Sequence, residues 1–124
     1  RAADAPDRPV GVVTMASRAR PELIRTLGEH IATVGRMPLL GTVAYRDPEA
    51  DTHVPRTNSA QRLKALDGAL TVAPALAEAL TGAGGPVLLV DDLSDTGWTL
   101  AVAARLLRRA GAPGVFPLVL AVQG

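Results

Sequence analysis

Cysteine is absent from this chain of 124 residues. That excludes disulfides and thiolate chemistry, and it fits a cytoplasmic protein. Lysine occurs once, as Lys64, against twelve arginines, so most positive charge is permanent and suited to bidentate phosphate binding. The formal net charge is only +1, which gives no electrostatic reason to expect a nucleic-acid or membrane surface. No apolar run reaches the roughly 18 residues of a membrane span. The opening RAADAPDRPV lacks the apolar stretch of a signal peptide. There is no G-x-x-x-x-G-K-S/T, so no P-loop is present. Gly82-Ala83-Gly84-Gly85 precedes a strand rather than following one, so it is not a dinucleotide fingerprint.

What is present suits one domain: hydrophobic residues make up 48% of the chain, enough for a buried core. Residues 1–9 read as a Pro/Ala/Asp linker and residues 10–124 as the domain. With Arg1 in place of methionine, the expectation is a domain cut from a longer protein. Val10 to Met15 reads as a buried strand. Pro21 then opens a helix in which Leu23, Leu27, His30, Ile31 and Val34 form one stripe, ended by Gly35. A lone histidine on such a stripe is expected to be partly buried. Leu39 to Tyr45 predicts a second strand.

Arg46 to Arg62, RDPEADTHVPRTNSAQR, has no apolar period and reads as a long loop, of the kind that is usually functional or mobile. Its arginines, Arg46, Arg56 and Arg62, are expected to be ordinary loop charges, and His53 has no neighbouring ligand spacing for a metal. A short helix over Ser59 to Leu66 and a short or edge strand over Ala69 to Val72 follow. Pro74 starts a helix to about Leu80, broken by Thr81 to Gly85. Val87 to Val90 is the next strand, Gly97 to Ala110 a helix stopped by Gly111, and Val115 to Val122 a last strand. On the last helix Leu100, Ala103, Leu107 and Ala110 share a stripe, with Arg105, Arg108 and Arg109 solvated on the other side. Apolar strands alternating with helices imply an α/β protein with a parallel sheet covered on both faces.

The chemistry concentrates in Val87 to Leu100, VLLVDDLSDTGWTL. In open parallel sheets ligands bind beyond the carboxyl ends of strands, and Asp91 and Asp92 stand at such an end. Asp95 to Thr99 make the turn into a helix, whose N-terminal N–H groups and dipole favour phosphate. Gly97 lets the backbone approach an anion, and Thr96 and Thr99 carry hydroxyl donors. Carboxylates repel phosphate but accept hydrogen bonds from sugar hydroxyls and attract Mg²⁺. A ribose 5-phosphate meets both demands. Asp95 by itself also suits a helix cap, and Trp98, the only tryptophan, suits packing as well as an interface.

Asp91-Asp92-Leu93-Ser94-Asp95-Thr96-Gly97-Trp98-Thr99 after four apolar residues resembles the phosphoribosyl pyrophosphate (PRPP) signature of type I phosphoribosyltransferases. The resemblance implies a phosphoribosyltransferase-like, Rossmann-like three-layer sandwich with a central, mainly parallel sheet. It implies that Asp91 and Asp92 bind the ribose hydroxyls. Asp95, Thr96, Gly97, Trp98 and Thr99 would hold the 5-phosphate, with Asp95 also serving as a catalytic base. Ser17, Arg18 and Arg20 would face the pyrophosphate, and Mg²⁺ would enter with PRPP and water rather than on direct protein ligands. The phrase DTGWTLAVAARLLRRAGAPGVFPLVLA is similar to the C-terminal extension of actinobacterial RecQ-family ATP-dependent DNA helicases. Asn58-Ser59-x-Gln61-Arg62 is similar to the competence-associated branch of the transferase family.

These resemblances imply a PRPP-binding domain, attached to helicase domains, that transfers phosphoribosyl to a nitrogen nucleophile. They equally admit a non-catalytic module that senses PRPP or a nucleotide and regulates or docks the helicase, or an interaction domain with a vestigial site. DNA would be reached only through the parent chain. A homodimer is allowed, and no membrane partner is expected.

Overall fold

A computed structural model describes residues 8–17, 20–46, 68–92 and 97–120. The described elements are β1 (Gly11–Met15), α1 (Pro21–Gly35), β2 (Leu39–Tyr45), β3 (Leu70–Thr71), α2 (Pro74–Ala83), β4 (Val87–Asp92), α3 (Gly97–Arg109) and β5 (Val115–Leu120). The five strands form one sheet in the order β3-β2-β1-β4-β5. β1, β2, β4 and β5 run parallel, and the two-residue β3 closes one edge antiparallel to β2. The molecule is therefore α/β with a mostly parallel sheet, compatible with a Rossmann-like fold. Among the described residues no helix is long and apolar enough to cross a membrane.

The two faces of the sheet carry separate clusters, as the period of two along each strand requires. Val13, Met15, Val43, Val87 and Leu89 point to the face covered by Leu76 and Leu80 of α2 and Val102, Ala103 and Leu107 of α3. Val12 and Val90 point to the opposite face, where Ile24 and Ala32 of α1 cover them. Fully burying an aliphatic side chain of this kind contributes roughly 1.5–3 kcal/mol, so both clusters matter. The arginines Arg105, Arg108 and Arg109 are exposed on the outer side of α3, and Gly111 follows that helix at φ 131°.

Three local outcomes differ from the sequence-based expectations. α2 runs three residues past Leu80 to Ala83 and is capped by Gly84 at φ 68°; within this last turn Thr81 donates its hydroxyl to the Ala77 carbonyl at 3.1 Å. α1 includes Gly35, and its left-handed cap is Arg36 at φ 56°, ψ 44°.

The buried stripe of α1 is also rotated. Ile24, Gly28 and Ala32 form its buried face, whereas Leu23, His30 and Val34 are exposed. Gly28 explains the rotation. A Cβ there would stand 2.3 Å from Thr14 Cγ2, so the helix presses its glycine edge onto the central strand. Thr14 Oγ1 is meanwhile 2.8 Å from Thr42 Oγ1 on β2, so the hydroxyl finds a partner beneath the helix. The predicted helix over Ser59 to Leu66 and the end of the last strand, Ala121 and Val122, lie outside the described residues.

Candidate functional site

Strand β4 continues two residues beyond its predicted end. The ladder to β5 persists through Asp91↔Val119 and Asp92↔Leu120, so both aspartates are strand residues rather than loop residues. Alternation turns them to opposite faces of the pleat. Both are nearly enclosed, Asp91 at 6% exposure and Asp92 at 5%. Burying carboxylates costs free energy unless hydrogen bonds offset the lost hydration. Those bonds are present. The Asp92 backbone N–H donates to Asp91 Oδ1 at 2.8 Å. Ser17 Oγ donates to Asp92 Oδ2 at 2.9 Å.

The position of this pair follows from topology. From β1 the chain passes through α1 to β2 on one side, and later runs from β4 through α3 to β5 on the other. The strand order reverses between β1 and β4, and a crevice opens at such a switch point beyond the carboxyl ends of the strands. Ser17 follows β1 and Asp92 ends β4, so their bond spans that crevice. The Arg20 backbone N–H in turn donates to Ser17 Oγ at 2.9 Å. This arrangement leads the chain into Pro21, the first residue of α1. The Ser17 hydroxyl thus uses its one proton on Asp92 and accepts from Arg20.

α3 starts at Gly97 beside the same edge, and Thr99 in its first turn is 2% exposed. The first N–H groups of a helix have no acceptor within the helix. Arg20 is exposed at the start of α1, and Arg46 is exposed just after β2 at the same end of the sheet. The structure therefore gathers Ser17, Arg20, Asp91, Asp92 and Thr99 at one sheet edge, together with the backbone of Gly97 and Trp98. Arg18, Asp95 and Thr96 lie outside the described residues, as does the side chain of Trp98.

Among the described residues no group of three or more histidine, cysteine or acidic side chains is arranged to hold a metal. The donor set at this edge is two carboxylates and hydroxyls, all hard oxygen ligands. That set fits Mg²⁺, which keeps several waters and takes one or two carboxylates together with substrate phosphates.

The tie between Ser17 and Asp92 had no signal in the sequence, because it joins residues 75 positions apart. The resemblance pointed to Ser17 as a residue facing the pyrophosphate, not as a partner of Asp92. No family model, no curated protein and no solved structure matches this chain.

Proposed function

We propose that the carboxyl edge of the sheet binds the ribose 5-phosphate portion of PRPP, with the type I phosphoribosyltransferase reaction as its chemistry. The supporting observation is two consecutive carboxylates at the end of β4, each less than a tenth exposed and beside a topological switch point, with Asp92 accepting from a serine in the loop after the neighbouring strand. Two consecutive buried acids at a strand end are a poor choice for stability alone. They suit a ligand that brings hydroxyl donors to them.

In this reading Asp91 and Asp92 accept hydrogen bonds from the ribose 2- and 3-hydroxyls. The backbone N–H groups at the start of α3, with Thr96 and Thr99, take the 5-phosphate. Arg20 and Arg18 face the pyrophosphate, as permanent cations suited to bidentate contact. Ser17 keeps the Asp92 carboxylate turned toward the sugar. As the bond from ribose C1 to pyrophosphate breaks, the sugar becomes electron-deficient, and the fixed carboxylates favour that charge without reorganising. Asp95 receives the proton of the nitrogen nucleophile. Asp91 and Asp92 would hold Mg²⁺ through water, and the ion would neutralise charge on the departing pyrophosphate.

Attachment to helicase domains is part of the proposal and rests on the sequence resemblance. Calorimetry with PRPP and Mg²⁺ tests the binding site. Saturable heat is expected, and a folded sample giving none at millimolar PRPP would overturn the reading. Pyrophosphate release with purine and pyrimidine bases then separates a transferase from a module that only binds.

A further inference from the structure

Among the elements described above, α2 and α3 cover one face of the sheet and α1 the other. A helix with its side chains is about 10 Å across and strands are about 4.8 Å apart, so one helix covers about two strands. α1 lies over β1 and reaches β2 and β4. On β5, Phe116 and Leu118 are in register with Leu88 and Val90, which belong to the α1 side. They remain 39% and 40% exposed. The edge of α1 beside Gly28 turns toward β2, because a Cβ on Gly28 would lie 3.8 Å from Leu39 Cδ1. The opposite edge, toward β5, carries Leu23, Leu27, His30 and Val34. Leu23 is 39% exposed and Val34 is 70% exposed. The result is an apolar trough with α1 as its wall and β5 as its floor.

We infer that this trough is a homodimer interface in which α1 packs antiparallel against α1 of a second copy. Leu23, Leu27, His30 and Val34 are spaced 4, 3 and 4 along the helix, the spacing of a two-helix seam. Under a two-fold axis Leu23 meets Val34 of the other copy and Leu27 meets His30, so the seam complements itself. No acid, lysine or arginine lies on it. The acids Glu22 and Glu29 sit on the far flank, both bonded to Arg25, whose guanidinium is held above its usual pKa chiefly by the hydrogen bond to Glu22. Antiparallel packing also places the N-terminal end of each helix beside the C-terminal end of the other, so that the helix dipoles oppose favourably.

Pairing through the β5 edge is a poorer alternative. Val87 N–H donates to the Gly114 carbonyl, and alternate residues of a parallel strand turn to the same neighbour. Phe116, Leu118 and Leu120 therefore bond toward β4, while Val115, Pro117 and Val119 face outward. Pro117 removes the middle donor of that outer edge. The inference is independent of the ribose site, which lies at the carboxyl edge of the sheet.

Sedimentation of the whole chain from micromolar to millimolar concentration tests it. A monomer–dimer equilibrium is expected. V34E and L118E should each shift it at least tenfold toward monomer while leaving the circular dichroism spectrum and PRPP heat unchanged. Because the chain contains no cysteine, L23C/V34C can be oxidised cleanly and should form an intermolecular disulfide, whereas V34C alone should not. A chain that stays monomeric at millimolar concentration would overturn the inference. So would a dimer indifferent to both glutamates, or efficient V34C self-linking, which signals parallel helices.

Discussion

Ser17 Oγ donates to Asp92 Oδ2 at 2.9 Å across the crevice between β1 and β4. This one bond joins the loop after the central strand to the acid pair of its neighbour. A hydrogen bond to a charged group contributes about 1.5–3 kcal/mol. Ser17→Ala should therefore lower stability by about that amount and weaken PRPP binding by roughly tenfold, while Ser17→Thr preserves both. Denaturant melts and calorimetry on the same samples separate the two effects. Lost stability with unchanged affinity would mean that Asp92 is structural rather than part of the binding site.

The carboxylates can be neutralised without changing their size. Asp91→Asn and Asp92→Asn together should weaken PRPP binding by at least tenfold and leave the sheet intact, because the charge is lost but the packing volume is kept. Calorimetry with a circular dichroism control checks this. Unchanged affinity would refute the placement of the ribose.

Gly28→Ala should destabilise the chain although alanine is the better helix former. The helix gains about 1 kcal/mol from propensity. Against this, the new Cβ would stand 2.3 Å from Thr14 Cγ2, and overpacking of a filled interior costs typically about 1–3 kcal/mol. Thr14→Ser removes the clashing methyl and retains the hydroxyl that meets Thr42. The double variant T14S/G28A should recover most of the loss relative to G28A, giving a coupling energy in a double-mutant cycle. Additive effects would show that α1 does not press on Thr14.

Arg36→Gly should stabilise. Arg36 is the one described non-glycine residue with positive φ, at 56°, and a Cβ in the left-handed region costs about 1–2 kcal/mol. Glycine relieves that but gains freedom in the unfolded chain, leaving a net increase of about 0.5–1 kcal/mol. The measurement is a denaturant midpoint in the V34E background, where association does not contribute. A lower midpoint would count against the left-handed cap.

Pro117→Val restores an outward donor in the middle of the β5 edge. Unprotected edges template strand pairing, so the variant should aggregate at a lower concentration than the parent, followed by light scattering. Equal solubility would show that the proline is not guarding the edge.

The local patterns in the sequence carried much of the fold. The apolar runs at Val10 to Met15, Leu39 to Tyr45 and Val87 to Val90, with Pro21 and Pro74 at helix starts, were legible because strand and helix periods and proline's fixed φ are local properties. The acids after the third of these runs stand, as expected, at the carboxyl end of β4, and Gly97 begins the helix that follows. Tertiary packing decided the rest. Asp91 and Asp92 belong to the strand because β5 extends the ladder past Val90. Ser17 holds Asp92 because the strand order reverses between β1 and β4. The stripe of α1 read from Leu23 to Val34 is not the stripe that the sheet buries, since Gly28 and Thr14 fix how the helix sits. A sequence period records which side chains avoid water, but only the packed neighbours determine which of them a single chain can cover.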